Sequence, residues 1–376
     1  MAKLLEITGK AISGEWGQDD DTGTGIPVLR TTNFTNEGFV NYKNVVTRSI
    51  SKKNIAEKYL RHGDVIIEKS GGSDKQPVGR VIFFEGEENK YLFNNFTGLL
   101  RVQNPEEWLP KYVFYALYTY YRNGGTRAFE NRTTGLHNLQ VDNYVKSVDI
   151  PKLSYRKQQH ICETLDHVRD AVAYRERQLT KLDELIKARF VEMFGDPYTN
   201  SKDYPLKKGE SFFKLSNGKA VPESKRLNGG IPAYGGNGIS WYTDESLFDA
   251  DTIVVGRVGF QSGNVHLVKG PLWVTDNAMY MSSCDFSQYN LTFLIELMAH
   301  VDFTKFQDAG DLKKITQKPF MQFEYLCPPL PLQNQFAAFA AEVDKSKLFV
   351  GSAVAHKPFD IEFFSKSTVQ RFIKEV

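Results

Sequence analysis

Residues 154–197 constrain the fold of this chain more than any other stretch. They form its longest segment of helical periodicity, and no proline or glycine occurs before Gly195. Ser154 is a suitable N-cap, and Gly195 followed by Pro197 is a typical helix end. The pattern predicts one helix of roughly 39 residues, about 58 Å long. Its apolar residues recur at spacings of three, four or seven, at Ile161, Leu165, Val168, Val172, Leu179, Leu182, Ile186 and Phe190.

Such a helix is longer than most helices of globular domains, and its apolar stripe is narrow. A stripe of this width favours a partner helix, as in a coiled coil. By itself the pattern is equally compatible with a connector that has no function beyond joining two domains.

The composition indicates a soluble globular protein of two or three domains, with 376 residues, 41% hydrophobic residues and 24% charged residues. The net charge of +2 neither favours nor excludes nucleic acid as a partner. No segment has the length and apolar character of a membrane span or a signal peptide. The three cysteines are far apart, which argues against a disulfide framework or a zinc cluster. We therefore expect a cytoplasmic protein.

The sequence before the long helix is repeated after it. The first copy contains predicted strands at 64–68 and 79–85, a helix at 109–122, a loop at 126–141 and a last strand at 145–150. Six segments match in the same order, which predicts two domains of one type. The matched pairs are 25–34 with 230–239, 63–84 with 249–268, 94–102 with 275–282, 109–122 with 290–303, 135–153 with 311–330, and 158–166 with 333–344.

The predicted fold class is therefore α+β, with two mixed α/β domains separated by long helices. We expect a first domain at residues 1–153, a helix at 154–196, a second domain at 197–331 and a second helix at 332–376. The second helix loses its pattern at Gly351 and cannot continue normally through Pro358. A separate short amphipathic helix is predicted at 365–376.

The sequence lacks the usual signatures of catalysis. No phosphate-binding loop of the Gly-x-x-x-x-Gly-Lys type is present, and no two histidines have metal-ligand spacing. Cys327-Pro328-Pro329-Leu330 superficially resembles an amino-methyltransferase signature, but it lacks the polar and aromatic residues that bind the target base. The sequence therefore predicts a non-catalytic chain without a metal site.

Loops that combine basic, amide and aromatic residues recur at equivalent places in both copies. Arginine suits guanine, asparagine and glutamine suit adenine, and lysine suits phosphate, so these loops are candidates for DNA contact. Any one of them is more simply read as a solvated connector, and the recurrence is what favours DNA. The candidates are Arg30, Asn33, Lys69, Lys75, Arg80, Arg127, Arg132, Thr133, His137, Asn138, Arg257, Gln261, Asn264, Lys313 and Lys314.

The chain resembles the specificity subunits of type I restriction–modification systems. The resemblance covers roughly residues 4–350 and is carried by 149–166, by 190–197 at the end of the long helix, and by the second helix start at 328–347. Residues 63–67 and Gly79-Arg80 are similar to a strand and turn that recur in each target recognition domain of that family.

The resemblance implies that each domain reads one half of a split double-stranded DNA target, while the helices pack as an antiparallel coiled coil. Modification subunits would dock on the helices and methylate adenine with S-adenosylmethionine, and a restriction subunit would use ATP and Mg²⁺. This chain itself would hold no cofactor. Two alternatives remain open: a stand-alone methyltransferase or nuclease, and a coiled-coil protein scaffold.

Overall fold

The computed structural model describes residues 1–52, 54–73, 76–133, 136–310 and 313–355. It divides into two compact units, Met1–Ala173 and Tyr174–Ala355, and the border falls inside the long helix. Each unit therefore contains about half of that helix, in addition to the domain expected from the sequence.

Unit 1 is a mixed α/β structure in which small, mainly antiparallel sheets pack with three short helices among the described residues. The strands are β1 (Ala2–Lys3), β2 (Ile12–Ser13), β3 (Gln18–Asp19), β4 (Ile26–Leu29), β5 (Val46–Ser49), β6 (Val65–Glu68), β7 (Ser70–Gly72), β8 (Val81–Phe83), β9 (Leu92–Phe93), β10 (Thr97–Leu100), β11 (Glu130–Thr133), β12 (Leu136–Leu139) and β13 (Asp149–Ile150). The helices are α1 (Leu4–Thr8), α2 (Pro110–Arg122) and α3 (Val141–Ser147), followed by α4 (Tyr155–Phe194), which continues into unit 2.

Unit 2 repeats this plan, with fewer strands among its described residues. Its strands are β14 (Leu206–Lys208), β15 (Phe213–Asn217), β16 (Ile231–Gly235), β17 (Gly238–Thr243), β18 (Thr252–Gly256), β19 (Val265–Val268), β20 (Trp273–Val274), β21 (Ala278–Cys284) and β22 (Glu324–Leu326). Its helices are α5 (Leu291–His300), α6 (Lys318–Gln322) and α7 (Leu330–Ala355).

Three sheets of unit 1 have counterparts in unit 2. The central sheet has the order β2-β10-β6-β8 in unit 1 and β15-β21-β18-β19 in unit 2. In the second sheet, β4 and β16 each pair in parallel with one strand and antiparallel with another. The terminal pairs β1-β13 and β14-β22 also correspond. The repeat in the sequence is thus a repeat of structure, and the predicted α+β class is confirmed.

Two segments of unit 1 differ from the sequence prediction. Residues 145–147 belong to α3 and not to a strand, because Tyr144 and Val145 are buried by the helix and strand pairing begins at Asp149. The expected loop at 126–141 instead contains a 3₁₀ turn, Gly125–Phe129, and the hairpin β11-β12. A short apolar segment does not distinguish helix from strand by itself, which explains the first error.

The second long helix also differs from its prediction. It begins at Leu330, with Pro331 tolerated in the first turn, passes through Gly351, and is described as far as Ala355. A glycine inside a helix costs only about 1 kcal/mol, so it does not end the helix here. The short helix predicted at 365–376 lies outside the described residues.

Helix α4 has 40 residues, which corresponds to about 60 Å. Its first half joins the core of unit 1 through Cys162 and Leu165, and the Tyr115 hydroxyl donates to Asp166 Oδ1 at 2.6 Å. Its second half joins the core of unit 2 through Ile186 and Phe190. Among the described helices, α4 included, none is long and apolar enough to cross a membrane.

Within unit 2, α4 and α7 lie side by side in opposite directions. Phe190 packs edge-to-face on Phe336 with ring centroids 5.6 Å apart, and the Arg189 guanidinium lies over Phe339. Further along, Lys347 Nζ forms an ion pair with Asp183 at 2.7 Å. Residue numbers rise on one helix as they fall on the other, so the expected antiparallel direction is present over residues 183–190. Coiled-coil geometry stays a prediction.

A fully buried glutamine lies in the first turn of each long helix and bonds the helix to its domain. Gln158 Nε2 donates to the carbonyls of Glu107 and Leu153 at 2.9 and 3.0 Å, and its Oε1 accepts the Leu109 N–H at 2.8 Å. Leu109 is the N-cap of α2.

Gln333 in unit 2 makes the same three bonds. Its Nε2 donates to the carbonyls of Gln288 and Pro328, and its Oε1 accepts the N–H of Asn290, the N-cap of α5, each at 2.8 Å. Three backbone groups at the helix–domain junction thus depend on one side chain in each unit.

Replacing Gln333 with leucine should lower the free energy of unfolding by about 3 kcal/mol, since buried backbone groups lose their partners. Urea titration followed by circular dichroism measures this loss. Gln335, which is exposed on the same helix, provides the control, and Gln335→Leu should have little effect. Equal effects of the two substitutions would contradict the structural role of Gln333.

Candidate nucleic-acid interface

A cationic residue follows the central strand of each unit at an equivalent place. Lys69 follows β6; its N–H donates to the Phe96 carbonyl and its carbonyl accepts the Leu139 N–H, both at 2.8 Å. Arg257 follows β18; its N–H donates to the Asn277 carbonyl at 2.9 Å and its carbonyl accepts the Ile315 N–H at 3.0 Å. The backbone fixes both residues from two sides, so the repeat places one positive side chain at the same edge of each unit.

The loops that follow Lys69 and Arg257 also end at equivalent backbone hydrogen bonds. The Glu68 N–H donates to the Arg80 carbonyl at 2.8 Å, and the Gly256 N–H donates to the Asn264 carbonyl at 2.9 Å. The residue before each acceptor is a glycine with φ of +100°, Gly79 in unit 1 and Gly263 in unit 2. Glycine is favoured there because other L-residues rarely adopt this conformation. The Gly79-Arg80 turn seen in the sequence therefore has a structural counterpart.

Lys69 lies among further cations in unit 1. Its Nζ is 3.4 Å from Ser13 Oγ, and burial, together with the charge of Lys58, lowers the pKa of its ammonium group. The largely buried Glu15 carboxylate pairs with Lys58 and with Lys52, whose Nζ is 2.8 Å away. Sequence analysis missed Lys52 and Lys58, because they come from a different segment and no motif marks them.

Three of the candidates in unit 1 use their side chains to bond backbone carbonyls of the unit itself. Asn33 is buried, and its Nδ2 donates to the carbonyls of Asn41 and Lys43. The Arg80 guanidinium donates to the carbonyls of Thr31 and Phe34 and lies 3.4 Å from the Glu68 carboxylate. Burial raises the pKa of Glu68, and Arg80 partly opposes this shift. Arg30 is half-buried, with Nη2 bonded to the carbonyl of Asn44 at 3.1 Å.

The hairpin beside Lys69 carries the other candidates of unit 1. His137 is buried, with Nδ1 3.1 Å from Glu130 Oε2, while Asn138 is half-buried opposite Asn131. Arg127 is exposed in the preceding 3₁₀ turn. Arg132 and Thr133 lie on β11, but their side chains and the whole of Lys75 fall outside what the structure describes.

Unit 2 brings its candidates together around one loop. Gln261, Asn264, Lys313 and Lys314 are all exposed, and Arg257 is half-exposed with Nη1 3.3 Å from the Asp276 carbonyl. The Gly259 N–H donates to the Lys313 carbonyl at 2.8 Å, and Val258 bridges to Lys314. The loop between β18 and β19 is thus attached to the lysine pair, although some 50 residues of sequence separate them. The grouping gives unit 2 a surface of cations and amides.

The apolar residues of α4 that were expected to form a spacer or docking face differ in how deeply they are buried. Leu165, Ile186 and Phe190 are buried in the unit cores. The remaining five residues, Ile161, Val168, Val172, Leu179 and Leu182, are half-buried.

Sequence comparison finds distant similarity to type I restriction enzyme specificity subunits. No protein-family profile matches the chain. A putative type I restriction enzyme specificity subunit of Haemophilus influenzae is 22% identical over 120 residues, which are 31% of each chain. The EcoprrI type I specificity subunit of Escherichia coli is 23% identical over 113 residues, 30% of this chain and 28% of the relative. The matches span less than a third of these curated relatives.

Solved structures match over nearly the whole chain. The type I restriction–modification S subunit from M. genitalium has a TM-score of 0.59 at 15% identity, over 94% of this chain and 91% of the other. The chain has the fold of a type I specificity subunit. A second structure, described as showing complex assembly and conformational transition of a type I system, has a TM-score of 0.54 at 12% identity, over 98% of this chain. The resemblance found in the sequence is therefore confirmed.

The Glu15 carboxylate makes the stability of unit 1 sensitive to acid. Hydrogen bonds from Lys52 and Lys58 hold its pKa below the usual value of about 4.3. A carboxyl whose pKa is lowered by folding stabilises the folded state above its unfolded pKa, and this stabilisation is lost as the pH falls through the folded pKa.

Glu15→Gln should therefore lower the unfolding free energy at neutral pH, and the difference from the native chain should shrink as the pH falls below about 4.3. Denaturant titrations at several pH values measure this difference. Glu210→Gln, at an exposed carboxylate, is the control. A difference that stays constant down to the lowest pH would contradict the assignment.

Proposed function

We propose that this chain is the sequence-specific DNA-binding specificity subunit of a type I restriction–modification complex. The observation that carries the proposal is the structural repeat: two units with the same central sheet each place a cation, Lys69 or Arg257, at the end of the central strand. Two equivalent readers suit a bipartite target, because the free energies of two half-sites add.

Each unit has the chemistry for one half-site of double-stranded DNA. In unit 2, Lys313 and Lys314 would contact phosphates, while Arg257, Gln261 and Asn264 would contact base edges. In unit 1, Lys52, Lys58 and Lys69 supply the positive charge, and the hairpin with Arg127 and Asn138 lies beside them.

The chain itself would be non-catalytic and would hold no cofactor. Modification subunits would bring S-adenosylmethionine and methylate the DNA, and a restriction subunit would bring ATP and Mg²⁺. Such a complex would act in the cytoplasm.

Co-expression with the modification subunit, followed by methylome sequencing, tests the proposal. We expect one split methylated motif that is absent when this chain is omitted. Methyl transfer by the purified chain alone would instead favour a stand-alone enzyme. DNA binding without sequence preference would favour a scaffold.

Substituting each strand-end cation in turn should weaken the binding of one half-site and leave the binding of the other unchanged. Arg257→Ala should cost about 1–3 kcal/mol of DNA binding and relax discrimination in one half of the target, whereas Lys69→Ala should weaken binding of the other half without changing which bases it prefers. Competition with duplexes that carry one scrambled half-site measures this. Lys269, which is exposed at the opposite end of β19, is the control, and Lys269→Ala should change affinity little. Loss of discrimination in both halves by either single substitution would contradict independent reading.

Deleting residues 170–173 should reduce the gap between half-sites. The deletion shortens α4 by roughly 6 Å, close to two base-pair steps of about 3.4 Å. It spares the contacts of Asp183 and Phe190 with α7.

Methylome sequencing should then show a shorter gap, or loss of methylation, with unchanged half-site sequences. The variant with Asp170→Ala and Val172→Ala keeps the helix length and should keep the gap. An unaltered motif in the deletion variant would rule out α4 as the spacer.

A further inference from the structure

The loop between β18 and β19 presents an uncovered aromatic ring. Phe260 is 92% exposed, more than any other large apolar side chain among the described residues. A phenylalanine gains about 1.5–3 kcal/mol when it is buried. Single exposed rings are common on protein surfaces, so the surroundings of this ring decide what it can bind.

The exposure does not come from a loosely attached loop. The Gly259 N–H donates to the Lys313 carbonyl at 2.8 Å, and the Ser262 N–H donates to the Gly259 carbonyl at 3.0 Å. Gln307 Nε2 donates to the carbonyls of Phe260 and Ser262, at 3.5 and 2.6 Å. The turn holds the ring outward while its backbone is bonded on both sides.

The surroundings of Phe260 identify the chemistry of its partner. The loop carries Arg257, Gln261 and Asn264, and Lys313 and Lys314 lie on the segment bonded to it. Phe306, which is 51% exposed, precedes the Gln307 that bonds to this loop. Cations and amides beside exposed aromatic rings suit nucleic acid better than the charge-depleted core of a protein interface.

Unit 1 also has an exposed phenylalanine beside its strand-end cation, but this phenylalanine comes from a different loop. Phe96 is 54% exposed, and its carbonyl accepts the N–H of Lys69. Phe96 occupies the backbone position that Asn277 has in unit 2, so the exposed rings are not copies of one repeated residue. In both units, nevertheless, an exposed phenylalanine lies next to the strand-end cation.

We propose that Phe260 inserts its ring between two adjacent base pairs of the half-site bound by unit 2. The ring has no donor or acceptor for base edges, so its gain comes from contact with base faces, and the neighbouring cations hold the phosphates on either side. Phe260 thereby makes recognition depend on how readily that base step unstacks. This inference rests on the proposed function.

The test uses the complete complex with its modification subunit and duplexes that carry 2-aminopurine at successive positions of the half-site. The methylated adenine is left out, because its extrusion brightens the probe by itself. The wild-type complex should raise the fluorescence several-fold at one position. Phe260→Ala should abolish this rise and weaken binding about tenfold, and Phe260→Trp should keep the rise.

Phe286→Ala is the matched control. Phe286 is 59% exposed in the same unit, and it follows the end of β21 opposite to Asn277. This substitution should keep both the affinity and the fluorescence rise.

Two outcomes would overturn the inference while leaving the proposed function intact. One is specific binding by Phe260→Ala with wild-type affinity and fluorescence. The other is an effect of Phe260→Ala that disappears when deoxyuridine replaces thymidine, which would assign the ring to a thymine methyl group. Failure of the wild-type complex to bind any specific duplex would overturn the proposed function itself.

Discussion

The structure depends on two buried glutamines that join long helices to compact domains. Gln158 and Gln333 each satisfy one N–H and two carbonyls at the start of a helix, and each holds the N-cap residue of the helix packed beside it. Because buried backbone groups must find partners, these bonds fix the direction in which α4 and α7 leave their domains. In unit 2, α7 leaves the Gln333 junction and packs beside the second half of α4.

The long-range organisation was predictable because the sequence shows it directly as helical periodicity and as repeated segments. The 40-residue helix, the helix at Pro110–Arg122 and the two-copy plan all follow from apolar spacing and segment order. Short elements were not predictable in this way. The helix α3 and the hairpin β11-β12 depend on which residues their neighbours bury, and Gly351 was overestimated as a helix breaker because its cost is small relative to the packing of α7.

The candidate site was predicted as a set of loops but not as individual contacts. Composition identified Lys69 and Arg257, which the fold places at equivalent positions. It could not distinguish them from Asn33, Arg80 and His137, whose polar atoms bond to the protein itself, since burial is a property of the folded chain. Lys52 and Lys58 reach the site through Glu15, a pairing between distant segments that no local pattern reveals.

The backbone at Lys69 and Arg257 has a further consequence. Neighbouring segments bind the N–H and the carbonyl of each residue, while no strand pairing depends on its side chain. The backbone conformation at this position therefore accommodates many residue types, because a substitution changes the side chain and leaves these backbone hydrogen bonds in place. The loops that begin at these residues differ in length between the units. Each loop nevertheless ends at an equivalent backbone hydrogen bond, accepted by the Arg80 carbonyl in unit 1 and by the Asn264 carbonyl in unit 2. A protein built in this way can acquire a new specificity by changes that leave its folding energy nearly untouched.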